Sequence, residues 1–343
     1  MKQLFSVSLI FLLVFSLISC RDGGVVMRNI TGKPGELVVV VPRESWDGKV
    51  GEAMKKVLLQ PQVGLPQDEP LFTTVDIPPA AFKDIFKTSR NILNVLISPT
   101  LDSSRVELKD DVWAAPQAVI NIHARSTDDF VSMFEENSDR ILAFLLKAER
   151  DRLQTNYVRY GDKTLRNMIK EKFNIELHVG PGFTLASEGE HFAWMRYDTP
   201  EITQGIAVYT FPYQSDSTFT ADYLVHKRDS VFKKYIEGPL PGSFMTTEHR
   251  IPPYIQLFRF KNNYAAEMRG LWRVENDFMG GPYLNLAVLD LSGSRVIVLD
   301  GFVYAPRFEK RNYLRQVEAM VYSLSLPYQD KNDKVNSQLL MGN

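Results

Sequence analysis

Three observations predict an α+β protein of two mixed domains, each with a largely antiparallel or mixed sheet packed by amphipathic helices. Apolar runs of strand length alternate with stretches of helical periodicity along the whole chain. A long helical pattern that starts near Ser126 divides it. Past Asn174, aromatic residues, two-residue alternation and hairpin turns take over. The 343 residues suffice for two cores.

The elements follow in chain order. Lys2 precedes an apolar run, Leu4 to Ile18, that is shorter than the roughly 20 residues a membrane-spanning helix needs. A charged start, an apolar stretch and small residues at its end make 1–19 a signal peptide. Leu17-Ile18-Ser19-Cys20 is similar to a bacterial lipobox, in which the cysteine thiol takes a diacylglycerol and becomes the new N-terminus. Cys20 is the only cysteine. Its acyl chains would hold the protein on a membrane, each buried methylene contributing about 0.8 kcal/mol. Residues 20–34 read as a tether.

The N-terminal α/β-type domain is expected at 35–157. Its ELVVVVP run, from Glu36, is apolar without alternation, as in a buried central strand. A helix at 47–59, a proline-rich loop at 60–70, a buried strand at 90–98 and an alternating strand at 117–124 follow. Ser126 and Asp129 make a helix start, and Phe130, Phe134, Ile141, Leu145 and Ala148 carry one helix to about Tyr157, roughly 45 Å long. Residues 158–173 hold a connecting helix.

The C-terminal α+β domain is expected at 174–328. IELHV, HFAWMRY and GIAVYTF read as strands, residues 218–236 as a helix, and IQLFRF, YAAEMRGLWRVE, YLNLAVLD and RVIVLDGFVYA as antiparallel strands. KNN, MGGP and SGS supply the turns, a helix at 307–326 closes the domain, and 329–343 is expected to be a disordered tail.

Composition narrows the function. A net charge of −1 gives no basic surplus to neutralise phosphates, so nucleic acid is not an expected partner. One cysteine, committed to lipid, leaves no disulfide, thiol nucleophile or cysteine metal site. The five histidines stand nowhere three to five apart, so no metal site is predicted, and no cofactor. Glycine-rich phosphate loops and the G-x-S-x-G serine elbow are absent. No catalytic residue is assigned.

Chemistry concentrates in EMRGLWRVENDFMGGPY, Glu267 to Tyr283. Alternation places Glu267, Arg269, Leu271, Arg273 and Glu275 on one face of a strand and Trp272 on the other. Glu267, Arg269, Trp272, Arg273 and Asp277 are the candidate ligand-binding residues, forming a cleft for a charged or sugar ligand with Trp272 at the rim. A solvated sheet face with cross-strand ion pairs predicts the same pattern and is the simpler reading. Asp290 and Asp300 end neighbouring strands and could act as acid and base. Strand-end aspartates more often open turns.

VVVVP, RESWDGKVGEAMKKVL, RGLWRVENDFMGGPY and DGFVYAPRFEKRNYLRQVEAM together resemble an uncharacterised family of Bacteroidetes lipoproteins, domain of unknown function 4837. The resemblance spans about 32–326 and implies a cell-envelope lipoprotein, with no activity, cofactor or catalytic residue to carry over. One acid in Arg21-Asp22-Gly23-Gly24 points to the periplasmic side of the outer membrane rather than the surface. Expected partners are membrane lipid, through Cys20, and an envelope protein or glycan. A noncatalytic binding or assembly component is the leading reading. A hydrolase with dispersed acids is the alternative, and an assembly adaptor would show an apolar patch at the domain junction.

Overall fold

The structure, a computed structural model, describes residues 27–327. Cys20, the signal peptide and the tail at 329–343 lie outside the described residues. The fold is α+β in two domains.

The N-terminal domain contains β1 (Glu36–Val40), α1 (Lys49–Leu58), β2 (Thr73–Ile77), β3 (Asn91–Ile97), β4 (Arg105–Asp110), β5 (Ala118–Ala124), α2 (Thr127–Glu136) and α3 (Ser138–Tyr160). The strands form one sheet in the order β2-β1-β3-β5-β4, parallel except for the antiparallel edge strand β4. The apolar run in β1 is explained by burial on both faces. Leu37 and Val39 pack with Val50, Met54, Phe130 and Phe134 from the helices. Val38 and Val40 pack with Ile92 and Val119 under Phe82, Phe86 and Trp113.

Two expectations change here. The single long helix is two, divided at Asn137, whose side-chain amide donates to Met133 O at 2.8 Å and diverts the turn. The segment read as a tether is docked from Arg28 onward: Arg28–Asn29 pair with Ala114–Ala115, and Thr31 bridges Ser89. Its polarity fits an edge pairing as well as a linker.

α4 (Lys163–Phe173) follows, started by Asp162, which accepts from Leu165 N at 2.8 Å, and ended by Asn174 in the left-handed region at φ 52°. The C-terminal domain adds β6 (Thr184–Gly189), β7 (Phe192–Asp198), β8 (Thr203–Pro212), α5 (Ala221–Tyr235), β9 (Met245–Thr247), β10 (Tyr254–Phe260), β11 (Asn263–Val274), β12 (Gly280–Asp290), β13 (Arg295–Tyr304) and α6 (Arg311–Val321). Its eight strands make an antiparallel sheet in the order β9-β11-β12-β13-β8-β7-β6, with β10 also on β11. Helices α4 and α6 cover one face, packing Ile169, Phe173, Leu314 and Val317 on Leu284, Leu286, Ile297 and Leu299. Helix α5 covers the other, with Leu224 and Phe232 against Met268, Tyr283, Val298 and Phe302.

IELHV is not a strand: Ile175, Leu177 and Val179 are buried in that first core, and only Glu176 bridges, to Ser325. The turn between β11 and β12 is Glu275–Met279, with Asn276 at φ 63°, rather than MGGP. Gly280 and Gly281 lie inside β12, and a Cβ on Gly281 would stand 2.0 Å from Val303 O, so only glycine fits. Helix α6 starts four residues later than expected because Glu69, in the proline-rich loop, accepts from Lys310 N at 2.7 Å and Arg311 N at 2.8 Å.

That loop belongs to a polar junction between the domains. Arg311 donates to Pro70 O and Arg315 to Leu71 O. Buried Glu149 accepts from Arg90, Asn91, Arg152 and the amide of Gly35. Helix α3 meets α6 through Gln154 to Ala319 O and Tyr157 to Gln316 O.

Candidate functional site

Helix α6 decides what becomes of the charged face of β11. Odd-numbered side chains from Ala265 share the face covered by α6, and even-numbered ones face α5. Glu267 is buried under α6 and the Arg269 side chain beside it is only 10 % exposed, so the solvated face expected for them is corrected. Arg269 Nε donates to Glu267 Oε1 at 2.6 Å, and Arg269 Nη1 donates to Glu318 Oε2 at 3.2 Å. Tyr322 OH also donates to Glu267, and Arg150 of α3 reaches Glu318 at 3.5 Å. Burial alone would raise the Glu318 carboxyl, but Arg269, then Arg150 and Arg315, hold it below the usual carboxylate range. Burial would discharge Arg269, and Glu318 and Glu267 more than offset that. This closed clasp ties the sheet to both domains and offers no room to a ligand.

Further along the same strand, at Arg273, the face opens. An open cleft of about 720 Å3 is lined by Trp272, Arg273, Asp277 and Gly280–Gly281 from β11, its turn and β12. Glu248, His249 and Arg250 close the other side, and Pro66 of the proline-rich loop reaches in from the N-terminal domain. Arg273 pairs with Glu275 at 2.6 Å, and both are partly exposed. Asp277 accepts from the amides of Phe278 at 2.5 Å and Met279 at 3.1 Å, fixing the turn. Trp272 is not at the rim. It is 2 % exposed, its Nε1 donates to Val303 O at 3.2 Å, and its ring meets Phe302 edge-on.

The structure thus brings together Trp272, Arg273 and Asp277, and places Glu267 and Arg269 elsewhere. It adds residues the sequence reading missed. Arg250 makes a two-pronged pair with Glu248, at 2.9 and 2.7 Å, and that hydrogen bonding holds the Glu248 carboxyl down to about 2. His249 Nε2 stands 2.9 Å from Asp229 Oδ2, while Asp229 Oδ1 accepts from the amide and hydroxyl of Thr247 at 2.7 Å each. The run Glu248-His249-Arg250 was a signal, but nothing local ties it to β11. The tie is long-range, through β9 pairing with the end of β11.

The two strand aspartates do not meet. Asp290 accepts from Ser292 Oγ at 2.6 Å, Gly293 N and Arg295 Nε, so it organises the β12–β13 turn. Burial would raise its carboxyl, but Ser292 and Arg295 keep it low. Asp300 lies within β13 rather than at its end, fully buried, on Asn285 Nδ2 at 2.8 Å and Arg228 Nε at 2.9 Å. Burial opposes the charge on Arg228, and Asp300 restores it, so the guanidinium stays protonated. Among the described residues, no group of three or more His, Cys, Asp or Glu side chains is placed to hold a metal ion. No helix of the described residues is long and apolar enough to cross a membrane.

Residues 162–323 match the family model for a domain of unknown function, DUF4837, and residues 30–158 match that of a second domain of unknown function, DUF8532. The first covers the C-terminal part only, so the resemblance expected over 32–326 divides between two families. No curated protein matches the chain. Among solved structures, LpqN of Mycobacterium tuberculosis, involved in cell envelope biogenesis, is 13% identical with a TM-score of 0.28, over 44% of this chain and 83% of that one. The human StarD13 (DLC2) lipid transfer and protein localization domain is 11% identical with a TM-score of 0.23, over 48% of this chain and 98% of that one. Scores this low bear on neither fold nor function.

Proposed function

We propose that this chain, which joins a DUF8532 domain to a DUF4837 domain, is a lipid-anchored bacterial envelope protein that binds a partner without chemistry of its own. One observation carries the reading: two separate runs, Glu248, His249 and Arg250 and then Trp272, Arg273 and Asp277, converge on one open cleft. Charges of both signs around an open cleft suit a polar, hydrogen-bonding partner, an envelope protein or glycan. The acids a hydrolase would need are dispersed: Glu267 in the clasp, Asp290 in a turn, Asp300 in the core and Asp277 capping a loop. The domain junction is crossed by polar contacts of Arg311, Arg315, Glu69 and the Arg150–Glu318 pair, which argues against an adaptor built on an apolar patch there.

The anchor rests on the run Leu4 to Cys20, on the periplasmic side of the outer membrane. Crosslinking in intact cells, followed by affinity capture of the tagged wild type and of Cys20→Ser, tests both parts. The expected result is a stoichiometric envelope partner with wild type that is lost with the anchor, together with a lipid-sized mass difference between the two chains. Equal masses would remove the lipid anchor. Capture of nothing by either chain would remove the protein partner and leave the glycan.

A further inference from the structure

A second pocket, of about 270 Å3, lies on the α5 side of the C-terminal sheet. Its walls are mostly aromatic and apolar, with Trp194, Trp272, Val274, Phe302, Tyr304 and Met279, while Arg196, Asp198 and Glu237 also line it. Trp272 and Met279 form the partition between the two. The volume is too small for an oligosaccharide or a nucleotide and fits a single slender apolar group.

The two indoles of this pocket differ. Trp272 Nε1 is satisfied by Val303 O, whereas Trp194 Nε1 is buried with no hydrogen-bond partner. A buried N–H left unpaired costs free energy, and an acceptor on a ligand would recover it. Two residues along β7, Arg196 sits at the mouth, with its guanidinium over the Trp194 ring at 5.6 Å and its Nε 2.8 Å from Asp198. The ligand is therefore apolar over its length and carries an oxygen acceptor at the end near Arg196.

Two loops frame the pocket and show where such a ligand comes from. The β11–β12 turn is closed by Val274 N on Met279 O and projects Phe278, which is 106 % exposed. The loop after α5 supplies Ile236, Gly238 and Pro239 to the wall and carries Leu240, 52 % exposed, near its tip. The loops are joined by Glu275 N on Phe244 O at 2.9 Å, so both exposed apolar tips belong to one structural unit beside one apolar pocket. A phenylalanine held wholly in water on a fixed turn is costly unless a nonaqueous phase receives it.

We propose that this pocket takes one acyl chain, its carbonyl oxygen accepting from Trp194 Nε1, drawn from a bilayer surface that Phe278 and Leu240 enter. The pocket shares Trp272 and Met279 with the cleft, and Phe278 lines the cleft, but the cleft's charged Arg273 and Asp277 do not line the pocket. The Cys20→Ser chain carries no lipid of its own and retains every described residue. Its tryptophan fluorescence is titrated with 11-bromoundecanoate and, separately, with phosphatidylcholine vesicles whose acyl chains are brominated. Both probes are expected to quench, because with the carbonyl at Trp194 the chain carries its bromine within quenching range of the pocket's indoles. Thr203→Phe, which fills the pocket from β8, abolishes the pocket quenching. Trp194→Phe keeps an aromatic wall but removes the N–H, and weakens undecanoate binding, read by calorimetry, at least roughly five-fold for the lost hydrogen bond. Phe278→Ser lowers quenching by vesicles and leaves undecanoate unaffected. Absence of quenching by both probes overturns the proposal, as does quenching that persists in a folded Thr203→Phe chain. Quenching by undecanoate but not by vesicles overturns the bilayer as the source.

Discussion

Strand β11 carries two charged arrays with opposite fates. At Glu267 and Arg269, helix α6 lies on the strand, and every charge is matched: Glu267 with Arg269 and Tyr322, Arg269 with Glu318, Glu318 with Arg150. At Arg273, Glu275 and Asp277 the strand pairs with β9 along its edge, and the charges face a cleft. The residue types and their alternation are the same in both. What differs is the element laid across them, so charge pattern on a strand reports a face and not its exposure. A matched, covered array specifies how domains lock, and an uncovered one of mixed sign is left available to a partner.

The largest effect is expected from breaking the clasp. Arg269→Met leaves buried Glu267 without its cation and Glu318 with only the longer Arg150 contact, and should cost about 3–5 kcal/mol in chemical denaturation. A loss under about 1 kcal/mol would mean that water reaches the clasp and that it is not closed. Arg228→Met, which strips Asp300 of its partner, belongs in the same range, and the double change Arg228→Met with Asp300→Leu should recover part of the loss.

Acid should separate the two arrays next. Glu318 has a folded value below its unfolded 4.5, so it contributes stability that is complete above about pH 4.5 and is lost as pH falls through the folded value. Glu318→Gln should therefore flatten the acid limb of stability against pH, and an unchanged limb would show that the carboxylate is not held by the arginines. The smallest effect on stability falls on the cleft. Arg273→Ala should move stability by no more than about 0.5 kcal/mol, because it removes one partly exposed ion pair. A loss of several kcal/mol would make the cleft another structural clasp.

Much of this architecture was legible. ELVVV declared a strand buried on both faces, and hairpin patterning placed β10 to β13. The misreadings share a cause, which is that long-range partners set local outcomes. Ile175, Leu177 and Val179 alternate like a strand because α4 and α6 bury them, with no strand neighbour to pair. Helix α6 starts where Glu69, some 240 residues away, caps its amides. Gly280 and Gly281 looked like a turn and are a strand, Gly280 pressed against Trp272 O and Gly281 against Val303 O. At the site, Trp272, Arg273 and Asp277 were found from one dense segment. Glu248, His249 and Arg250 were not, since only the β9–β11 pairing brings them there. Asp300 was misplaced because Arg228, its counter-ion, sits on a helix with no sequence link to β13.

The account stands most directly on partner recovery by the cleft. Tagged wild type, Arg273→Glu and Arg269→Lys chains would be crosslinked in intact cells and captured, with melting temperatures measured alongside. The account predicts that Arg273→Glu loses the partner at an unchanged melting temperature, and that Arg269→Lys melts lower while still recovering partner in proportion to folded protein. Full recovery with folded Arg273→Glu would contradict it.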